Sequence, residues 1–333
     1  MAFRALALDA ISAYCLRESM GALDTPEFQH PLIVSLQFAI PIFWILKYFP
    51  SITPFVIDPP KWLPLRFMSA VRGIFDFRQH TAEHMHSFLS NRHSPSTDGH
   101  EIIYDYLLSS NAESKTKIAL TEDDLFQEAI GLLLAGSDTV GGVCTVGFYH
   151  VLKNPEILRK LQAELKQSWR SLEEQPTLAE LEKLPYLTAV IKEALRFDGG
   201  VVSQMPRVVG KDGAIIGGVQ VPGGTIVSMS NIYLHYNEEV FPNAHEFIPE
   251  RWLSDANSKR LDSWLVPFSR GPRMCIGTNL AWCELYLVYG NLFRRLDLTL
   301  WNMDPSDYTS FDAFFVPVHH GNELHVTVQT AET

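Results

Sequence analysis

Apolar residues recur at helical spacing along most of this chain, and prolines mark where the pattern breaks. Residues 1–90 follow a helical pattern that prolines interrupt from Pro50 onward. A turn-rich loop is predicted over 93–99, with short helices at about 100–110. Thr121 followed by Asp124 resembles a capping box, and the apolar pattern beyond it predicts a long helix ending near Leu152.

Helix signals continue after this long helix. Asn154 is a favourable cap residue and Pro155 a favourable first helical residue, so this pair predicts a helix stop and a new start. The helices predicted beyond Asn154 cover about 155–170, 178–182, 186–197 and 278–295.

The pattern between these last two helices is different. Residues 208–236 are rich in β-branched residues and glycine and predict short strands around the turn Pro222-Gly-Gly224. A long irregular connection follows over 237–277, and the tail at about 298–328 predicts further short strands. The expected fold is mainly α with a small β-sheet, in one domain covering 1–333.

Composition narrows the function classes. The chain has 333 residues, is 46% hydrophobic and carries a formal net charge of -11, which argues against nucleic acid as a partner. Its four cysteines form no CxxC pair and no zinc-like group with histidine, so a reducing compartment is expected. The apolar stretch from Pro31 to Leu46 is shorter than the ~20 residues of a spanning helix, which favours a buried or surface-docking helix. The aromatic residues within 31–57 would suit shallow contact with a membrane.

One loop carries candidate metal chemistry. Residues 267–277, here called the cysteine loop, contain the pattern F-x-x-G-x-R-x-C-x-G at Phe268, Gly271, Arg273, Cys275 and Gly277. A chance match of five fixed positions is on the order of one in ten thousand. The glycines permit tight turns that expose amides to the sulfur, and the helix predicted after the loop favours a thiolate. Arg273 is placed to bind an anionic group.

This pattern resembles the haem-binding loop of the cytochrome P-450 superfamily. The resemblance implies the fold of that family, with haem as cofactor and the Cys275 thiolate as iron ligand. Thiolate ligation favours cleavage of the O–O bond. It also implies a haem-thiolate monooxygenase that uses O2, a small hydrophobic substrate and electrons from an NADPH-dependent cytochrome P-450 reductase.

Residues 135–139, Ala-Gly-Ser-Asp-Thr, resemble the distal helix motif of the same family. Gly136 is small enough for close approach of the haem, and Asp138 and Thr139 are a plausible proton relay. The Thr139 hydroxyl can also bond to the helix carbonyl one turn earlier. The alternative is that Gly136 serves helix packing and Asp138 is a solvated charge.

Further resemblances concern arginines. Glu193 and Arg196 lie on one helix face at i,i+3 spacing. Pro249-Glu-Arg-Trp252 resembles the meander segment of the family, whose arginine completes a buried cluster supporting the cysteine loop; this implies a structural cluster of Glu193, Arg196 and Arg251. By resemblance, Arg207 and Arg273 bind the haem propionates, and the alternative for Arg207 is an exposed charge at a strand end.

The chain is expected to lack the N-terminal part of the cytochrome P-450 fold. Several features resemble fungal members of secondary metabolism, which suggests a terpenoid or polyketide substrate. The family implies the cytosolic face of the endoplasmic reticulum membrane, with the cytoplasm as the alternative. Two other functions stay open: a truncated, non-catalytic relic that does not hold haem, and a haem-thiolate isomerase or dehydratase, against which Asp138 and Thr139 argue.

Overall fold

A computed structural model describes residues 1–57, 69–91, 102–104, 107 and 121–331. The loop predicted over 93–99 and most of the helices predicted at about 100–110 lie outside these residues. The described chain forms two compact units, Met1–Gly142 and Val143–Thr333. That residues 1–333 form one domain stays a prediction.

Helices make up most of the described chain. Those of the first half are α1 (Ala2–Leu16), α2 (Pro31–Tyr48), α3 (Thr53–Ile57), α4 (Ser69–Asn91) and α5 (Glu122–Lys153). Those of the second half are α6 (Pro155–Ser168), α7 (Leu178–Leu181), α8 (Pro185–Asp198), α9 (Ile232–His235), α10 (Asp255–Asp262) and α11 (Thr278–Arg295).

The described strands pair as separate two-stranded antiparallel sheets rather than as one small sheet. The pairs are β1 (Arg207–Val208) with β4 (Ile226–Val227), β2 (Ala214–Ile216) with β3 (Val219–Val221), β5 (Leu296–Leu300) with β8 (Val326–Thr330), and β6 (Phe311–Ala313) with β7 (Pro317–His319). The prediction of a mainly α fold with little β-structure is confirmed.

The first unit has its largest helix contact between α2 and α4. Ala39 and Ile42 of α2 pack against Val71 and Ile74 of α4, with Val56 beside them. These residues recur at helical spacing, so one face of each helix is buried and the opposite face stays exposed to solvent.

The second unit is organised around α11, which packs against α6, α7 and α8. Its Phe293 ring stacks on Phe148 of α5 with centroids 4.3 Å apart, and the fully buried Tyr289 donates to the Val143 carbonyl at 3.0 Å. A second cluster joins α8 to the connection before the cysteine loop and includes Ala189 and Phe241.

Local signals located the helix ends well. Thr121 Oγ1 accepts the Asp124 amide at 3.1 Å while the Asp124 carboxylate accepts the Thr121 amide at 2.8 Å, so the predicted capping box is confirmed. Asn154 Oδ1 likewise accepts the first amides of α6, at 3.1 and 3.4 Å. Both caps satisfy amides that have no partner inside the helix.

The predicted turn at Pro222-Gly-Gly224 is confirmed, since it joins β3 to β4 and the Pro222 carbonyl accepts the Thr225 amide at 3.3 Å. The sequence did not predict a second turn at Gly217 and Gly218, whose φ angles of 57° and 80° suit the two-residue turn of the β2–β3 hairpin. One prediction needs correction. The connection over 237–277 is not irregular throughout, because it contains the 3-10 turn Pro249–Trp252 and α10.

Two described segments are long and apolar enough to cross a membrane by length and composition alone, Pro26–Tyr48 and α5. A buried core helix passes the same test, and half of the apolar window of α5 is buried.

Candidate functional site

The cysteine loop presents its sulfur to solvent from a backbone held by hydrogen bonds. Cys275 is exposed, and its amide donates to the Phe268 carbonyl at 2.9 Å. Gly271 adopts a φ of 83°, a left-handed conformation that favours glycine, and its carbonyl accepts the amide three residues later. The Thr278 hydroxyl donates to the Cys275 carbonyl at 2.9 Å at the start of α11. The loop therefore closes on itself and leaves the thiol free.

The other cysteines are unsuitable as ligands. Burial raises the pKa of Cys15 to about 12 and that of Cys144 well above its ordinary value. Burial also raises the pKa of Cys283, which lies in α11 beyond the loop. Since a metal binds the thiolate rather than the thiol, Cys275 is the cysteine best placed for that role.

The predicted propionate partners are exposed arginines of the second unit. Arg207 lies at the start of β1, and its Nη1 donates to the adjacent Pro206 carbonyl at 2.9 Å. Arg273 projects from the cysteine loop. Among the described residues, neither guanidinium forms an ion pair with a carboxylate. Phe268 is half-buried, with its ring centroid 6.4 Å from that of Trp282.

The structure brings Glu193, Arg196 and Arg251 together. Both guanidinium groups bond to the Glu193 carboxylate: Arg196 at 2.8 and 3.1 Å, and Arg251 at 3.1 Å. Glu193 and Arg196 are fully buried. The carboxylate also accepts the Trp252 indole N–H at 2.8 Å and the Ile248 amide at 3.0 Å.

This cluster organises the connection that precedes the cysteine loop. Arg196 Nη1 donates to the carbonyls of His235 and Ala244 at 2.7 and 2.8 Å, and Arg251 Nη1 donates to that of Pro242 at 2.9 Å. The bonds to His235 and Ala244 satisfy buried carbonyls that have no partner in a described strand or helix. Hydrogen bonds from the two arginine side chains therefore hold the backbone of this connection, as strand or helix hydrogen bonds do elsewhere.

The residues predicted for the distal motif lie on α5 and point in different directions. A Cβ atom at Gly136 would lie 2.7 Å from Ile11 Cγ1, so the glycine permits close packing of α5 against α1. Its approach to haem stays a prediction. Ala135 is exposed, and Thr139 lies one turn further along the same face. Thr139 Oγ1 donates to the Ala135 carbonyl at 2.7 Å, which confirms the predicted bond one turn back.

Asp138 is buried rather than solvated. Its Oδ1 accepts a hydrogen bond from Arg4 Nε of α1, within the same unit. Its Oδ2 is also buried and has no hydrogen-bond partner among the described residues. The guanidinium of Arg4 therefore fixes the orientation of this carboxylate.

The sequence did not reveal two of these residues. Arg4 is the only lysine or arginine of α1, which suggests that it has a charged partner. That partner lies 134 positions away, and no pattern in the local sequence predicts it. His235 had no signal at all. It is fully buried on α9, and its ring accepts the Val266 amide at 2.9 Å next to the cysteine loop.

Glu284 of α11 is a further buried acid. Its Oε2 has no hydrogen-bond partner within the described part of the chain, and burial raises the pKa of its carboxyl from 4.5 to about 7. The folded chain thus holds this proton more tightly than the unfolded chain does. The resulting stability is fully present below about pH 4.5 and is lost as the pH rises through about 7.

Replacing Glu284 with glutamine should remove this pH dependence. Since one pKa unit corresponds to 1.36 kcal/mol, we expect Glu284→Gln to gain about 2 kcal/mol more stability at pH 8 than at pH 5, relative to wild type. Urea unfolding at both pH values measures this difference. The exposed Glu173→Gln serves as control and should show the same pH trend as wild type. Equal effects of Glu284→Gln at the two pH values would contradict the assignment.

Comparison with known proteins identifies relatives over most of the chain. A cytochrome P-450 family model matches residues 2–319. A cytochrome P-450 monooxygenase of Aspergillus thermomutatus is 34% identical over 96% of this chain and 60% of its own length. The tryptophan 6-hydroxylase of Fusarium equiseti is 33% identical over 99% of this chain and 64% of its own length. The chain thus spans somewhat less than two thirds of these relatives.

The fold agrees with this relationship. A crystal structure of a cytochrome P-450 haem domain superposes with a TM-score of 0.74 at 20% sequence identity. The superposition covers 99% of this chain and 67% of that domain. At this identity the likeness concerns the fold alone.

Proposed function

The chain belongs to the cytochrome P-450 family, and we propose that it acts as a haem-thiolate monooxygenase on a small organic molecule of secondary metabolism. The observation that carries the proposal is the cysteine loop, which presents the Cys275 thiol to solvent at the start of α11. A structural cysteine in a glycine-rich turn would more commonly be buried.

The donor set suits haem, the cofactor of this family. Cys275 supplies a free sulfur next to the start of α11, whose first amides receive no side-chain cap from Gly277. Arg207 and Arg273 are cations without carboxylate partners among the described residues, as propionate binding needs. When bound, haem activates dioxygen for insertion of one oxygen atom into the substrate.

The roles of the residues follow from this assignment. Cys275 is the iron ligand, and Phe268 and Gly136 are proposed to contact the cofactor. Glu193, Arg196 and Arg251 support the segment that leads into the cysteine loop.

Proton handling is assigned to Asp138 and Thr139. Asp138 Oδ2 is buried and has no hydrogen-bond partner within the described chain, so it can accept a hydrogen bond from another member of the relay, while Arg4 fixes the other oxygen. Thr139 Oγ1 donates to the Ala135 carbonyl at 2.7 Å, and this leaves its lone pairs available to accept a proton donor. The pair therefore meets the needs of a relay of general acid groups.

Replacing Thr139 with valine should uncouple oxygen use from product formation. The change preserves shape and removes the hydroxyl, so more NADPH oxidation should end in hydrogen peroxide. Indole, terpenoid and polyketide probes are first screened for a spin-state shift, and peroxide released per NADPH is then measured with the best probe. Thr188→Val is the matched control, because Thr188 makes the same bond one turn back, to Leu184 at 2.9 Å. Unchanged coupling in Thr139→Val would count against the relay. Product formed without any NADPH oxidation would instead indicate an isomerase or dehydratase.

The function itself is tested with the whole chain. We expect the reduced protein with carbon monoxide to show the red-shifted Soret band of thiolate ligation. Soluble, folded protein without this band would instead support a relic that does not hold haem.

The proposed substrate is a small hydrophobic molecule. The sequence favours a terpenoid or polyketide. Two relatives are, by name, a tryptophan 6-hydroxylase and an N-acetyltryptophan 6-hydroxylase, at 33% and 32% identity. Indoles therefore join terpenoids and polyketides as proposed substrates.

An NADPH-dependent cytochrome P-450 reductase is the proposed electron source, at the cytosolic face of the endoplasmic reticulum membrane. Support for peripheral membrane contact through residues 31–57 comes from exposed apolar side chains of α2, α3 and the turn between them. They are Phe38, Trp44, Ile45, Tyr48, Phe49 and Phe55. Cosedimentation with phospholipid vesicles tests this contact, and a chain that stays in the supernatant contradicts it.

A further inference from the structure

His235 joins the buried charge cluster to the cysteine loop. The His235 carbonyl accepts Arg196 Nη1 at 2.7 Å, and its ring Nε2 accepts the Val266 amide at 2.9 Å. Both bonds belong to one fully buried residue. Together these two hydrogen bonds connect the Glu193–Arg196 pair on α8 to Val266, the residue that immediately precedes the cysteine loop.

The hydrogen-bond roles of this imidazole follow from its neighbours. An amide N–H can only donate, so Nε2 must be unprotonated and the proton lies on Nδ1. Burial, and secondarily the charge of Arg196, lowers the pKa of His235 to about 3. The ring therefore stays a neutral acceptor over the whole physiological range.

The ring is costly to keep in this place. Its Nδ1 is buried without a hydrogen-bond partner among the described residues, and an apolar side chain would avoid this loss. Within the described chain, what the imidazole contributes is the Nε2 acceptor for the Val266 amide.

Val266 in turn sets the start of the cysteine loop. Its carbonyl accepts the Ser269 amide at 3.0 Å, in a turn where Ser269 has a φ of 61°. The Phe268 carbonyl, inside that turn, accepts the Cys275 amide at 2.9 Å. A shift of Val266 would therefore reach the backbone of Cys275 through two consecutive hydrogen bonds.

We propose that His235 is a positioning residue for the Cys275 thiolate, acting through the Val266 amide. This inference rests on the proposed haem-thiolate function. His235 belongs to none of the sequence motifs, and it would connect the buried charge cluster to the proposed iron ligand.

The test compares three side chains at position 235 that differ in whether a hydrogen-bond acceptor can lie at the position of His235 Nε2. The Oε1 of glutamine can occupy the place of histidine Nε2, whereas asparagine is one methylene shorter and leucine offers no acceptor. We expect His235→Asn and His235→Leu to convert at least half of the thiolate-type Soret band of the reduced carbon monoxide complex to the shorter-wavelength, thiol-type band. His235→Gln should keep the wild-type ratio. Hydrogen exchange of the Val266 amide should be at least tenfold faster in the asparagine and leucine variants only.

A second buried histidine provides the control. His150→Leu removes a ring whose Nε2 has no hydrogen-bond partner among the described residues, so it should leave both readouts at wild-type values. The inference is overturned if glutamine, asparagine and leucine act alike on the band or on the exchange. If wild-type protein itself lacks the thiolate-type band, the proposed function fails first, and the inference fails with it.

Discussion

Replacing Cys275 with serine should abolish the red-shifted Soret band while leaving the fold intact. Serine differs from cysteine by one atom, and the exposed side chain of Cys275 contributes little to packing. A hydroxyl ligates iron poorly in place of a thiolate, and the electronic effect that favours O–O cleavage depends on sulfur. The loss of the band should therefore be complete rather than partial.

The matched control is Cys283→Ser. Cys283 lies on α11, eight residues beyond Cys275 and outside the loop, and is only partly buried. Reduced carbon monoxide spectra of wild type and both variants, with circular dichroism to verify folding, complete the comparison. A band that survives in Cys275→Ser, or disappears in Cys283→Ser, would refute Cys275 as the ligand.

Replacing Arg196 with methionine should cost about 3–5 kcal/mol of stability, since it leaves the fully buried Glu193 carboxylate with one guanidinium fewer. The carbonyls of His235 and Ala244 would lose their donor as well. Urea unfolding of the whole chain, followed by tryptophan fluorescence, measures the change; Trp252, which bonds to the same carboxylate, reports on this cluster.

Two further variants make this result specific. Arg159→Met breaks an exposed ion pair with Glu156 and should unfold at the wild-type urea concentration. Neutralising the stranded acid in Glu193→Gln/Arg196→Met should recover part of the loss. A double variant that is as unstable as the sum of the single variants would show that the charges act independently.

The sequence predicted those features whose causes are local. The ends of α5 and α6 were located correctly because capping residues act on amides two or three positions away. The i,i+3 pairing of Glu193 and Arg196 follows from helix geometry alone. The turn at Pro222-Gly-Gly224 was predicted, but the Gly217-Gly218 turn of the β2–β3 hairpin was not, because strand pairing decides which glycine pair closes a hairpin.

The roles of individual side chains depended more on the tertiary structure. Gly136 is equally compatible in sequence with haem approach and with helix packing, and only the structure shows Ile11 against it. Asp138 could have been a solvated charge, but burial beside Arg4 excludes that alternative. Pairings between residues more than a hundred positions apart arise from chain packing, for which the sequence has no local signal.

By itself, the sequence determined the helical fold, the family and the loop that presents Cys275, because these depend on periodicity, caps and a motif of closely spaced residues. The tertiary structure alone decided how that loop is supported. The bonds from Arg196 to His235 and from His235 to Val266 join segments 39 and 31 residues apart. Such bonds form only after burial has removed competing water and left their donors and acceptors no other partners.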